Sequence, residues 1–288
     1  VLKTLKIEFV TLIMNHALHS TKKYLKGVRL MQVIIKENYD EMSKEAAQII
    51  KDAIHLKPNL VLGLATGSTP IGTYKELIRS CKEGDLDFSK VVTFNLDEYV
   101  GLPQKHDQSY HYFMHDKLFT HININEANVH VPSGIAKDFA QYCQWYEDEI
   151  DKAGGIDLQV LGIGSDGHIG FNEPGTSLAS RTSLVTLTEE TIEDNKRFFA
   201  GDEAAVPRFA ITMGVGTIME AKCCLLVANS EKKADPVSML VEGPITSQIT
   251  ASALQMHPNA IVIVDESAAS KLKRVDYYKW AYENRPTF

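Results

Sequence analysis

From Met31 onward, short runs of apolar and β-branched residues alternate with stretches whose apolar positions recur at helical spacing. Positions 32–36 read as a strand and 39–53 as an amphipathic helix, and 59–65 with 71–81 repeat the pair. Strand 91–95 precedes a polar loop and a helix over 110–119; a helix over 138–152 leads into strand 158–163. The rest keeps the same grammar, with strands 209–213 and 223–228, a helix over 232–241 and strand 260–264. Strands separated by helix-length segments are the mark of βαβ units, and strands apolar at successive positions are covered on both faces. The pattern predicts an α/β fold with a mostly parallel sheet and helices on both faces. No Pro-, Gly- or Ser-rich linker interrupts it, so residues 31–288 are expected to form a single domain. Ligands of such sheets sit beyond the carboxyl ends of the strands.

Residues 1–30 break the pattern. They carry six basic residues against one acid, whereas the rest of the chain holds 24 basic against 36 acidic. Their short apolar run, 9–14, is not followed by a small-residue cleavage site, so a secretory signal fits poorly, and a single arginine fits a mitochondrial presequence little better. We expect a basic N-terminal extension that is dispensable to the core.

Over the 288 residues, 44% are hydrophobic and 23% charged, which suits a globular protein and excludes disorder or coiled coil. A net charge of -7 gives no general attraction to nucleic acid or anionic membrane, so an anionic ligand needs a local site. Cys81, Cys143, Cys223 and Cys224 form no CxxC pair, and the apolar runs are far shorter than a membrane helix. Reduced thiols and a cytoplasmic location follow as expectations.

Three polar loops after apolar runs hold the candidate chemistry. In the first, Thr66, Gly67, Ser68 and Thr69 precede Pro70, where a helix is expected to begin. A glycine turn, hydroxyls and the N–H groups of a helix start make a phosphate cradle, though an ordinary capped helix start looks much the same. The second, 95–103, places Asp97 and Glu98 just past a strand, where partial shielding by Tyr99 and Leu102 could raise a carboxylate toward general-base duty.

The third, 162–174, spells GxGxxG through Gly162, Gly164 and Gly167. A dinucleotide site is rejected because Gly170 and Pro174 break the helix that this motif must open. What remains is Asp166, His168 and Glu173 within eight residues, an imidazole between carboxylates able to move protons. Metal readings are weaker. His111 and His115 lack the glutamate of the zinc-hydrolase helix, and Asp166 with His168 shows no third ligand by spacing.

Together, residues 66–70, 94–102 and 162–174 resemble the glucosamine-6-phosphate deaminase family, also called glucosamine-6-phosphate isomerase. The likeness continues through Ser180-Arg181-Thr182, Arg197-Phe198-Phe199, Val215-Gly216-Thr217, Val241-Glu242-Gly243-Pro244 and His257-Pro258, and so spans about 31–280. It implies a Rossmann-like fold that converts glucosamine 6-phosphate and water to fructose 6-phosphate and ammonia with no cofactor and no metal. Position by position, it implies Asp97 as the base between C2 and C1, His168 as the driver of pyranose ring opening, and Asp166 and Glu173 as its tuning acids. Thr66, Gly67, Ser68 and Thr69 with Arg197 and Lys233 would hold the phosphate, Lys232 being the competing neighbour of Lys233.

Two other readings are weighed against it. The related 6-phosphogluconolactonase carries an arginine after the Asp-Glu pair, where this chain has Tyr99, and a different run after the histidine. A phosphosugar-sensing transcription factor would need a DNA-reading module that residues 1–30 do not supply. In the allosterically activated branch of the family, an Arg and a Lys shortly after Ser-Arg-Thr hold an effector phosphate; here Ser183 and Val185 stand in the matching stretch. The resemblance therefore implies no activation by N-acetylglucosamine 6-phosphate, and a monomer or small homo-oligomer.

Overall fold

A computed structural model describes residues 31–285. The expected basic extension, residues 1–30, lies outside the described residues. In chain order the elements are β1 (Gln32–Lys36), α1 (Tyr39–Leu56), β2 (Val61–Leu64), α2 (Ile71–Lys82), β3 (Val92–Asn95), β4 (Asp97–Tyr99), α3 (Tyr110–Lys117), β5 (Val129–His130), α4 (Phe139–Lys152) and β6 (Leu158–Leu161). They continue with β7 (Ser183–Thr186), α5 (Glu189–Asn195), β8 (Phe209–Thr212), α6 (Val215–Met219), β9 (Cys224–Ala228), α7 (Ala234–Glu242), β10 (Ala260–Asp265) and α8 (Val275–Glu283).

Local chemistry sets these elements. Asn38 opens α1 by accepting from Glu41 N at 3.0 Å, and Met42, Ala46, Ile49, Ile50 and Ala53 form its buried stripe. The helix ends at Leu56 because Pro58 disfavours helical backbone at the residue before it. Asp138 caps α4 in the same way, accepting from Gln141 N at 3.0 Å.

Seven strands form a parallel sheet in the order β1-β10-β9-β6-β2-β3-β5. Alternate residues feed two cores: Val33, Val61, Leu226 and Val262 pack on one face, and Ile34, Leu62, Val227 and Ile263 on the other. The α/β architecture with helices on both faces is as expected. From β2 the chain moves outward to β3 and β5, then returns to the opposite side of β2 with β6. The reversal between β2 and β6 is the topological switch point, and the loops leaving β9, β6, β2 and β3 lie side by side there.

The structure adds a second sheet, antiparallel, in the order β4-β8-β7. Two sequence readings change as a result. Residues 95–103 are not simply a polar loop, because 97–99 form β4 in register with 210–212 of β8. Residues 183–186, for which no strand was expected, form the edge strand β7. Both strands are too short to show a period, and their ladder partners lie far along the chain.

Candidate active site

At the end of β3 the buried Leu96 carries the chain from the large sheet into the small one, and Met213 N donates to Leu96 O at 2.7 Å. Strand alternation then separates the next three side chains. Asp97 and Tyr99 line a cleft, while Glu98 turns to the other face. Glu98 is 1% exposed and accepts from Tyr99 N at 2.8 Å, Tyr110 N at 2.9 Å and His111 N at 3.0 Å. Asp97 is also buried, and among the described residues nothing donates a hydrogen bond to its carboxylate. Burial first, and the charge of Glu98 second, push Asp97 up to about 8 despite the opposing pull of His168. Burial likewise lifts Glu98 to about 7, against its three backbone donors.

Across the cleft stands the loop after β6. Its glycine run opens no helix, in keeping with the rejection of a dinucleotide site. Gly164 N donates to His168 O at 2.9 Å and closes the loop, and a Cβ on Gly164 would lie 2.5 Å from the His168 ring. Gly170, at a φ of +60°, brings the loop so near β8 that a Cβ would sit 2.8 Å from Thr212 Oγ1.

This turn gathers the three expected residues. His168 Nδ1 lies 2.7 Å from Asp166 Oδ1 and 3.4 Å from Glu173 Oε2. The ring's other nitrogen, Nε2, is left for the cleft that His168 lines. Burial opposes a charged ring, but bonding to Asp166, then Glu173, outweighs it and raises His168 to about 9. Burial also works against charge on Asp166 and Glu173, and the imidazolium overcomes it and holds both below the usual carboxylate range. The two carboxylates thus favour a cationic imidazole at neutral pH.

Residues 66–69 line the same cleft from the end of β2. Gly67 turns the chain with a φ of +97°, Tyr39 Oη donates to Thr69 O at 3.1 Å, and Thr69 Oγ1 donates to Asn229 Oδ1 at 2.9 Å. Helix α2 begins at Ile71 and not at Pro70, which takes the preceding position. Arg197 and Lys233 also line the cleft, whereas Lys232 points to solvent. Burial depresses Lys233, the neighbouring Arg197 adds to this, and Asp194 and Asp166 oppose it. Ser230, at the start of that turn, has a φ of +78°, a strained position for a residue with a Cβ, and its N–H is held by both oxygens of Asp265 at 3.1 Å.

Some of the site was not anticipated. Tyr110, Phe171 and Phe199 surround Tyr99, with ring centroids 4.9, 5.5 and 5.7 Å away, and make an apolar wall beside Asp97. Ser165 Oγ donates to Asp194 Oδ2 at 2.6 Å and ties the histidine loop to α5. Aromatic residues in isolated segments give no signal of convergence, so neither feature was visible by spacing.

Two clusters among the described residues bring three ligand atoms within 4.8 Å: Asp166–His168–Glu173 and His111–His115–Glu126. The spacing argument missed Glu173 and Glu126 as third members. In the first cluster the imidazolium already balances the carboxylates, and in the second His115 Nε2 is paired with Glu126 Oε1 at 2.8 Å.

The family described as glucosamine-6-phosphate isomerases/6-phosphogluconolactonase matches residues 36–264. The chain belongs to that family. It is 56% identical over 246 residues to a glucosamine-6-phosphate deaminase of Thermoanaerobacter pseudethanolicus, covering 85% of this chain and 97% of the relative. It is 52% identical over 248 residues to glucosamine-6-phosphate deaminase 2 of Bacillus subtilis, covering 86% and 100%. Among solved structures, a monomeric glucosamine-6-phosphate deaminase superposes with a TM-score of 0.82 at 46% identity, covering 84% of this chain and all of that one. A 6-phosphogluconolactonase from Trypanosoma brucei, at 19% identity and a TM-score of 0.68 over 84% of this chain and 98% of its own, shares the fold.

Proposed function

We propose that this chain is an enzyme that converts glucosamine 6-phosphate and water to fructose 6-phosphate and ammonia. The observation that carries the reading is a dry Asp97 facing the same cleft as the His168–Asp166–Glu173 relay, with Arg197 and Lys233 on that cleft. The sugar phosphate is held by the N–H groups and hydroxyls of residues 66–69 and by the two cations. His168 gives a proton to the ring oxygen and takes the proton of the anomeric hydroxyl in return, which opens the ring to the aldehyde and leaves the imidazole charged again; Asp166 and Glu173 favour that charged form. Asp97 then takes the C2 proton and returns it to C1. The enolamine becomes a ketose imine, and water adds to C2 and expels ammonia.

The apolar wall of Tyr99, Tyr110 and Phe171 excludes water and raises the proton affinity that Asp97 needs for a carbon acid. Ser183 and Val185 lie on the outer strand of the small sheet and carry no charge for a second phosphate, so substrate saturation is hyperbolic and N-acetylglucosamine 6-phosphate does not activate. A sigmoidal curve made hyperbolic by that sugar would refute this. The structural relative described as monomeric supports a monomer or small oligomer here. The four free cysteines fit a cytoplasmic setting, and among the described residues no helix is long and apolar enough to cross a membrane.

The deciding assay offers glucosamine 6-phosphate, its N-acetyl form and 6-phosphogluconolactone in parallel. Ammonia from the first alone is expected. Lactone hydrolysis without ammonia release would assign the lactonase reaction, and binding without turnover would assign a sensor.

A further inference from the structure

Glu98 is a buried carboxylate that the reaction above does not use. It sits next in chain to Asp97 yet faces away from the cleft, onto the first turn of α3. Its oxygens take the N–H groups of Tyr110 and His111, the first two helical residues, and Ser109 Oγ takes the third at 3.0 Å from Tyr112 N. A third bond, from Tyr99 N, fixes the same carboxylate to its own strand. Three such donors, two at the positive end of a helix, favour the ionised form of a group that burial disfavours. Asp97, with no donor among the described residues, has no such support. When the two adjacent acids share one negative charge, Glu98 is the better place for it and Asp97 keeps the proton.

We propose that Glu98 is a positioning residue for proton transfer at C2: anchored on three backbone N–H groups, it locks β4 to the rim helix α3 and carries the negative charge beside Asp97 when the two acids share one. The helix it locks supplies Tyr110 to the wall over Asp97, so one carboxylate sets both the placement and the surroundings of the base. The other groups facing the pair are His168 from the loop after β6, Tyr99 on β4, Tyr110 on α3 and Tyr146 on α4; Thr212 and Ile211, opposite on β8, carry no charge. Of these, His168 alone is charged at neutral pH, and it acts against Glu98. The inference rests on Asp97 being the base.

The test is the pH profile of kcat/KM for E98Q beside the intact chain. In E98Q the amide oxygen can still accept from Tyr99 N and Tyr110 N while the charge is lost. Without that charge Asp97 ionises more readily, so the acidic limb is expected to move down by about one pH unit and the alkaline plateau to fall several-fold, the base being weaker. The substrate's own amine titrates identically in both proteins and cancels. S109A removes the neighbouring cap without altering charge, so it is expected to lower Tm and leave the limb where it is. An unmoved limb in E98Q, or an equal shift in S109A, overturns the proposal. If E98Q does not fold, E98D keeps the charge with a shorter reach, and its limb is expected to match that of the intact chain; a shifted limb there would overturn the proposal equally. Failure of the base assignment itself reads differently: D97N would then turn over at near the normal rate.

Discussion

Buried Asp97 and the pair formed by half-buried Asp166 and buried Glu173 are acids set near one imidazole, His168, and their surroundings drive them in opposite directions. Asp97 meets another carboxylate and an aromatic wall, and it holds its proton up to about pH 8. Asp166 and Glu173 meet His168, stay ionised, and lift the imidazole to about 9. Burial works against charge in both sets: at Asp97 it is the larger cause of the rise and the like charge of Glu98 adds to it, whereas at Asp166 and Glu173 the bonds and charge of His168 overcome it. The cleft thereby gains a proton acceptor for carbon and a proton donor for oxygen from the same residue types.

Removing the acceptor breaks this comparison most severely. D97N is expected to fold and bind the phosphosugar while losing on the order of 10³-fold or more in turnover, since an amide cannot take the C2 proton. Single-turnover ammonia release measures it, and a rate close to normal would remove Asp97 from the reaction.

Removing the donor should cost less and in a distinguishable way. H168Q is expected to slow the cyclic substrate by roughly 10²-fold and to regain part of the rate on an acyclic analogue, which needs no ring opening. Equal impairment on both substrates would separate His168 from that step.

The cations offer a contrast that neither acid set controls. K233A is expected to raise KM about 10-fold with a smaller change in kcat, whereas K232A, altering a solvent-facing residue, should match the intact chain. Reversal of that order would exchange the two lysines.

The smallest effect is on stability, read as Tm against pH. Asp97 binds its proton more tightly folded than unfolded, with a value raised from 3.8 to about 8, so its contribution declines as pH rises through that window. The His168 contribution is complete below 6.5 and declines as pH rises through about 9. D97N should therefore be a few degrees more stable than the intact chain near pH 8 and lose that advantage toward pH 4. H168Q should be less stable below pH 6.5 and converge on the intact chain near pH 9. Parallel curves for all three proteins would mean that neither group gains or loses a proton on folding.

Much of this was legible in the chain itself. The alternation of apolar runs and helical stretches fixed the α/β class, and glycine, proline and capping residues marked the loops after β2, β3 and β6. Those signals are local: a period of two or 3.6 and a turn residue act within a few positions. The same locality let His168 be read with Asp166 and Glu173, which share one glycine-rich turn. What the tertiary structure alone decided lies between distant segments. Asp97 enters a strand because it pairs with Thr212, Glu98 becomes a helix anchor because Tyr110 and His111 begin α3 beside it, and Lys233 rather than Lys232 reaches the cleft because the turn after β9 aims it there. A three-residue strand has no period to read, and a carboxylate in sequence carries no mark of burial. Their proton affinities arise only when folding removes water and sets particular charges side by side.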